Sequence, residues 1–163
     1  MLPYQNPQLP IEERLDDLIG RMTLEELIMQ TDQFGTNDAT EGTGEDRRFS
    51  MEKVRKNFRG LSAGAIGLLS AEEGNQLQRY AVEQTRLGIP FLFNSEGVHG
   101  ASQPNATIFP QQIGMASSFE PGLARKMGHA IAAESRASGT HEVWSPVMDL
   151  MRDPRFGRTE EAY

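Results

Sequence analysis

The chain has 163 residues, 37% of them hydrophobic and 24% charged, which is enough to bury the core of one ordinary globular domain. Sixteen basic and 23 acidic side chains give a formal charge of -7, which argues against nucleic acid and anionic membranes as partners and favours a neutral ligand. The sequence contains no cysteine, which excludes disulfides and thiolate metal sites. Residues 1–10 lack the basic and apolar regions of a signal peptide, so we expect a cytoplasmic protein, or a periplasmic or secreted one if a signal was removed.

The first predicted elements are two short amphipathic helices within residues 11–33. Thr23, followed three residues later by Glu26, has the sequence of a capping box at the start of the second helix. The apolar residues of both helices recur at spacings close to three and four, and they are Leu15, Leu18, Ile19, Met22, Leu24, Leu27 and Ile28.

A polar stretch without periodicity follows the two helices. Residues 34–48 are rich in Gly, Thr, Asn, Asp and Glu, which predicts a long surface loop, and residues 50–58 are expected to close it with a helix. We therefore divide the chain into N-terminal helices at 1–33, a polar excursion at 34–62 and the first β/α units at 63–163.

The rest of the chain alternates between strand and helix patterns. Glycine- and proline-flanked apolar runs predict buried strands at 64–70 and 91–94. Between them we predict a helix over 71–87 whose core-facing side chains include Leu77, Tyr80 and Ala81. The pattern is typical of a β-α-β unit with parallel strands.

A further helix is predicted from 120 to 137, with Ser117 and Ser118 as candidate caps and Gly139 at its end. A third strand is predicted over 143–150. Such alternation indicates either a doubly wound sheet or a (β/α) barrel. A complete barrel needs about 250 residues, so this chain would supply only its first strands.

Charged residues of both signs crowd the turn after the third predicted strand. The mixture suits a neutral hydroxylated ligand better than a phosphate, although a solvated surface with ion pairs gives the same pattern. The charged residues are Asp149, Arg152, Asp153, Arg155, Arg158, Glu160 and Glu161.

Five segments in register resemble the N-terminal domain of glycoside hydrolase family 3, over about residue 11 to residue 163. They read M-T-L-E-E-L-I-M-Q-T, L-G-I-P-F-L-F-N-S-E-G-V-H-G, T-I-F-P-Q-Q-I-G-M-A-S-S, A-A-E-S-R-A-S-G and W-S-P-V-M-D-L-M-R-D-P-R-F-G-R-T-E-E-A-Y. The resemblance implies a (β/α)8 barrel of the TIM type, incomplete in this chain, followed by an α/β sandwich domain. It also implies hydrolysis of terminal β-glucosyl, β-xylosyl and related residues with retention.

The resemblance assigns Glu96 and Arg158 to substrate binding, because a carboxylate accepts hydrogen bonds from two hydroxyls and a guanidinium donates two in parallel. Relatives of the family often have Asp where this chain has Glu96, which leaves glucose and xylose open. The family's nucleophile and acid/base lie beyond residue 163, so we predict no catalytic residue in this chain.

Supporting roles are expected for four further residues. We predict that Arg152 and Asp153 brace the turn, that Asp149 is a partner of the arginines, and that His99 holds a loop through its ring nitrogens. A catalytic base at His99 and a catalytic carboxylate pair of Glu96 with Asp149 are the sharper alternatives.

Other candidate sites have little support in the sequence. Trp144 could stack on a sugar ring, but its place in an apolar run predicts a core residue. His129, His141 and Glu142 lack metal-ligand spacing, and neither a G-x-S-x-G nor a G-x-G-x-x-G motif occurs, so no metal and no cofactor are expected.

Two functions follow from these patterns. In the first, the chain is part of a β-glycosidase whose partners are a small β-glycoside or oligosaccharide and the missing C-terminal part of the same protein. In the second, it is a non-catalytic carbohydrate-binding or interaction fragment, which self-associates to cover its exposed strand edges.

Overall fold

The computed structural model describes residues 1–163 and divides them into two compact units. The first unit contains residues 1–66 and 75–91, and the second contains residues 67–74 and 92–163. Each unit contains helices and a parallel pair of strands, and each is described by itself.

The predicted helices and strands follow each other in the expected order, and the structure adds three strands of two residues and one helix of five residues. In chain order they are α1 (Ile11–Arg21), α2 (Leu24–Thr31), β1 (Gln33–Phe34), β2 (Thr40–Glu41), β3 (Arg48–Phe49), α3 (Met51–Phe58), β4 (Ala65–Gly67), α4 (Ala71–Gln84), β5 (Leu92–Glu96), α5 (Gln112–Ala116), α6 (Pro121–Ala137) and β6 (Glu142–Trp144). None of these helices combines the length and the apolar character that a membrane span requires.

The predicted capping box opens α2. Thr23 Oγ1 accepts a hydrogen bond from the Glu26 backbone N–H at 3.2 Å, and Glu26 Oε2 accepts one from the Thr23 N–H at 2.8 Å. Arg86, which lies after α4, donates from Nε to Glu26 Oε1 at 3.0 Å and from Nη2 to the Arg21 carbonyl at 2.8 Å. Hydrogen bonding to Arg86 is the main reason that the pKa of Glu26 lies below its ordinary value. This network joins the end of α4 to the start of α2.

The core of the first unit is built around the parallel pair β1 and β4, in which Phe34 lies opposite Ile66. The Phe58 ring lies between those of Phe34 and Phe91, with centroid distances of 4.9 and 5.2 Å. Tyr80 is 2% exposed, and its hydroxyl accepts from the Gly60 N–H at 3.0 Å. The predicted core face of α4 is confirmed, because Leu77 and Ala81 are also buried.

Residues 34–48 are more ordered than their composition predicts. Thr40 pairs with Phe49 and Glu41 with Arg48 in an antiparallel ladder formed by β2 and β3. Two-residue strands are too short to produce an alternating pattern in the sequence, which is why the loop prediction missed them. Ser50 caps the helix that follows by accepting the Lys53 N–H at 3.2 Å.

In the second unit, β5 and β6 pair in parallel, with Glu96 opposite Trp144. His141, which precedes β6, extends this pairing towards the start of β5. Its backbone N–H donates to the Phe93 carbonyl at 2.8 Å, and its Nδ1 accepts the Phe93 N–H at 2.9 Å. The two rings stack with centroids 5.5 Å apart.

The strand predicted over 143–150 is wrong beyond Trp144, where β6 ends. Ser145 bonds through its N–H to the Val143 carbonyl at 3.1 Å, and Pro146 has no N–H to offer a neighbouring strand. Trp144 is 41% exposed, so its prediction as a core residue is also wrong. The apolar residues next to Trp144 in the sequence do not indicate that no other element packs against its side of β6.

The start of α6 differs in detail from its prediction. The helix begins at Pro121 with Glu120 as its cap, and no side chain caps it. Ser118 Oγ instead accepts the Glu120 N–H at 3.2 Å, while Ser117 Oγ donates to the carbonyl of Ile113 in α5.

Candidate functional site

One cleft of the second unit has a volume of about 590 Å³. It opens at the end of β5, between the loop 97–111 and the turn Thr159–Glu161. Its main polar side chains, which include hydrogen-bond donors and acceptors, are those of Glu96, His99, Gln103, Gln111, Arg158 and Glu161.

Glu96 is the last residue of β5, and its carbonyl accepts the Ser102 N–H at 3.3 Å. Gly97, the next residue, lies so close to Val143 and Ile131 that a Cβ would overlap Val143 Cγ1 and approach Ile131 Cγ2 to 3.2 Å. Close packing behind the strand end therefore fixes the backbone from which Glu96 projects into the cleft.

Hydrogen bonds hold the loop that forms one wall of the cleft. The Phe109 N–H donates to the His99 carbonyl at 2.7 Å, and the Gln112 amide donates to the Val98 carbonyl. Thr107 donates to Glu134 of α6 from its backbone N–H at 2.9 Å and from its hydroxyl at 2.6 Å. These two bonds lower the pKa of Glu134.

Arg158 stands at the start of the turn Thr159–Glu161 on another side of the cleft. Its Nε lies 3.0 Å from both carboxylate oxygens of Glu161, and its Nη2 also contacts Oε2. This hydrogen bonding, followed by the negative charges of Glu161 and Glu96, raises the pKa of Arg158. Arg158 is therefore positively charged and interacts electrostatically with the carboxylate of Glu96.

The turn itself is tied to the preceding extended segment. The Tyr163 N–H donates to the Asp149 carbonyl at 3.0 Å, and the Met151 N–H donates to the Tyr163 carbonyl at 2.8 Å. Ala162 is completely buried. These contacts fix the backbone that carries Arg158 and Glu161.

The predicted supporting residues fall in different places. Asp153 accepts a bidentate pair of hydrogen bonds from the Arg155 side chain and another from the Arg155 backbone N–H at 2.9 Å, all within the turn Pro154–Phe156, and it does not line the cleft. Arg152 is exposed and also lies outside the cleft. The carboxylate of Asp149 is exposed and has no arginine partner, in contrast to its predicted role.

His99 lines the cleft with Glu96, but it holds the loop through its backbone carbonyl rather than through the ring nitrogens that the sequence suggested. Asp149 is not a lining residue, so the structure does not bring the alternative carboxylate pair of Glu96 and Asp149 together in the cleft.

Sequence reasoning named Glu161 only as one of seven charged residues near the third strand, and it did not name Gln103 or Gln111. A signal for Glu161 was present, because an acid three residues after an arginine comes onto the same side of a 3-10 turn. Gln103 reaches Ser95 Oγ at 3.5 Å, and no pattern in the sequence predicts that contact.

The cleft can accept and donate hydrogen bonds around a polar, uncharged molecule. Carboxylates supply the acceptors, and the guanidinium and amide groups supply the donors. No group of three or more His, Asp or Glu side chains is placed to hold a metal ion.

Comparison with known proteins identifies relatives along almost the whole chain. Residues 24–163 match the profile described as the glycosyl hydrolase family 3 N terminal domain. A Formosa agariphila protein with the provisional name beta-xylosidase is 36% identical over 170 residues, which cover 98% of this chain and 22% of that protein. The periplasmic beta-glucosidase of Salmonella typhimurium is 32% identical over 148 residues, 90% of this chain and 18% of the relative.

Solved structures give the same result. A beta-glucosidase from Erythrobacter marinus matches with a TM-score of 0.74 and 27% identity over 98% of this chain and 21% of that one. The Listeria innocua beta-glucosidase in complex with glucose matches with a TM-score of 0.72 and 30% identity, over 92% and 21% respectively. These matches and the parallel strand pairs confirm the predicted fold class, an α/β chain from the N-terminal part of a (β/α) barrel. The chain spans about a fifth of the length of these relatives.

Proposed function

The chain belongs to glycosyl hydrolase family 3, and we propose that it supplies part of the sugar-binding site of an enzyme. That enzyme removes terminal β-D-glucosyl or related residues from small β-glycosides. The reaction proposed is hydrolysis of the glycosidic bond with retention of configuration. Both glucosidases and xylosidases occur among the relatives, and the proposal covers both sugars.

The observation that carries this proposal is the meeting of Glu96 and Arg158 in one cleft, although they are 62 positions apart in the sequence. Ionised Glu96 offers two acceptor oxygens to neighbouring sugar hydroxyls, and Arg158 offers a planar set of donors. Hydrogen bonds to charged groups are about twice as strong as those between neutral groups. A neutral pyranose therefore finds complementary partners on two sides.

Bond breaking is assigned to residues outside this chain. Retaining glycosidases need two carboxyl groups about 5 to 5.5 Å apart, one as nucleophile and one as acid and base. Of the two cleft acids, Glu161 is bound to Arg158, and Glu96 is proposed to hold hydroxyl groups. The proposed partners are thus the β-glycoside and the remainder of the same polypeptide.

Kinetics of the full-length protein test the proposal. We expect it to hydrolyse nitrophenyl β-glucoside or β-xyloside, with NMR of the released sugar showing the β anomer first. Glu96→Gln and Arg158→Lys should each lower kcat/KM by about 10- to 100-fold, the loss expected for a hydrogen bond to a charged group.

Arg152→Lys is the matched control, because Arg152 is exposed and lies outside the cleft. It should leave kcat/KM unchanged. An inactive wild-type protein, or full activity in both cleft variants, would exclude the proposed function.

A carbohydrate-binding role without catalysis is the second candidate function. It is favoured because Glu96 and Arg158, the two proposed sugar-binding residues, both belong to this chain and line one cleft. Calorimetric titration of the isolated chain with glucose, xylose and a β-linked disaccharide tests it. Binding that Glu96→Gln abolishes, combined with an inactive full-length protein, would select this role over hydrolysis.

The cellular location is part of the proposal. We propose the cytoplasm, or the periplasm if the complete gene encodes a leader, since the name of the Salmonella typhimurium relative places that protein in the periplasm. Fractionation of cells that express the complete gene distinguishes the two locations.

A further inference from the structure

We propose that Glu161 is a positioning residue that holds the guanidinium of Arg158 at the wall of the cleft and keeps it from collapsing onto Glu96. The inference rests on the proposed function, in which Arg158 and Glu96 grip the sugar. It assigns to Glu161 a role in binding geometry that reaches the substrate only through Arg158.

The contact geometry identifies which edge of the guanidinium is occupied. Arg158 Nε lies 3.0 Å from each oxygen of Glu161, and Nη2 contacts Oε2. A guanidinium has five N–H donors in a fixed plane. With the Nε and Nη2 edge held by Glu161, the two donors on Nη1 and the second donor on Nη2 remain available for hydroxyl oxygens.

The burial of the two side chains shows which one is the anchor. The Glu161 side chain is 19% exposed, whereas that of Arg158 is 61% exposed. Glu161 is followed by the fully buried Ala162 and by Tyr163, whose backbone is bonded to Asp149 and Met151. The carboxylate is therefore fixed by its surroundings, and the arginine is the member that reaches into the cleft.

The charges around this pair explain why an anchor is needed. Glu96 faces Arg158 closely enough for its charge to raise the pKa of Arg158, and His99 and Glu160 are the other titratable groups that act on the pair. Without Glu161, the strongest remaining partner of Arg158 would be Glu96. An ion pair between Arg158 and Glu96 would occupy both of the proposed sugar-binding groups, and the cleft would no longer accept a neutral ligand.

The test uses the full-length protein with Glu161→Ala, Glu161→Gln and the matched control Glu160→Ala. Glu160 lies on the same turn, is exposed and loses the same charge. We expect Glu161→Ala to lower kcat/KM by about 10- to 100-fold, mainly through KM, since a displacement of about 1 Å in a positioning group can cost about 10²-fold. Glu161→Gln keeps one acceptor and should lose less, and Glu160→Ala should match wild type, with thermal midpoints unchanged in all three.

A double variant separates positioning from a general structural role. In an Arg158→Ala background, Glu161→Ala should add little further loss, because its only route to the substrate has gone. A full additional loss in that background, or wild-type kinetics in Glu161→Ala, would overturn the inference while leaving the proposed function intact.

A second readout does not depend on hydrolysis. With ¹⁵N-labelled arginine, the Nε–H signal of Arg158 should be protected from exchange in wild type and in Glu160→Ala, and lose that protection in Glu161→Ala. If the wild-type enzyme proves inactive, the proposed function fails, and this signal still decides whether Glu161 holds Arg158. Equal exchange in wild type and Glu161→Ala would refute the positioning role.

Discussion

Gly97, at the residue scale, lies where the packing behind the site has no room for a side chain. A Cβ there would overlap Val143 Cγ1 and lie 3.2 Å from Ile131 Cγ2 and 3.4 Å from Ser145 Cβ. Overpacking of this kind costs about 1–3 kcal/mol. We expect Gly97→Ala to lower the thermal midpoint and to raise KM, because the end of β5 must move and carries Glu96 with it.

Gly128 provides the control for this substitution. It lies in the interior of α6, and nothing is found within 4 Å of where its Cβ would be. Alanine is favoured over glycine in a helix interior by about 1 kcal/mol, so Gly128→Ala should keep or raise the midpoint. Equal midpoints for Gly97→Ala and Gly128→Ala would contradict the packing argument.

Individual residues also show how far the sequence could lead. Glu96 and Arg158 could be predicted from the sequence as candidate binding residues, because each lies within a recognisable family motif. The pairing of Glu161 with Arg158 was missed, since it depends on the direction of a side chain within a short turn. The prediction for Trp144 was wrong because an apolar run does not reveal whether a neighbouring element covers each face.

At the scale of elements, the loop 97–111 depends on an ionised side chain of α6. Glu134 accepts two hydrogen bonds from Thr107, and its folded-state pKa lies below the ordinary 4.5. A carboxyl group with a lowered folded-state pKa stabilises the fold fully above its unfolded pKa, and this contribution is lost as the pH falls through the folded-state value. We therefore expect the loop to loosen below about pH 4.5.

Hydrogen exchange can measure this loosening. Protection factors of peptides covering residues 100–110 should fall between pH 7 and pH 3 in wild type, after correction for the intrinsic exchange rate. Glu134→Gln should show reduced protection already at pH 7 and little pH dependence. Glu120→Gln, at the exposed start of the same helix, serves as the control. Protection that stays constant in wild type would count against the role given to Glu134.

The helices were predicted more accurately than the strands, for a physical reason. The capping box of α2 and the long periodic faces of α4 and α6 extend over several turns, so their ends differ from the predicted ones by at most three residues. The strands have two to five residues, and their ends depend on partners that are distant in the sequence. His141 completing the pairing of Phe93 is an example, since no local pattern indicates it.

At the scale of the whole molecule, both units expose apolar side chains that a stable protein normally covers. In the first unit, Ile11, Ile19, Leu24 and Ile28 of α1 and α2 are all more than half exposed. In the second unit, Leu92 and Trp144 are exposed on the paired strands, and Met148 and Leu150 are exposed in the segment after them. Monomeric proteins rarely leave large contiguous apolar patches uncovered.

This exposure leads to an expectation for the 163-residue chain when it is expressed alone. We expect it to elute from gel filtration as species larger than a monomer, increasingly so with concentration, and to show negligible turnover of nitrophenyl β-glucoside and β-xyloside. Leu92→Thr with Trp144→Thr should reduce the self-association, because these changes remove apolar surface from the open strand face. Co-expression with the rest of the proposed polypeptide should restore turnover. A monomer that unfolds cooperatively and hydrolyses either substrate would show that the bond-breaking groups lie within these residues after all.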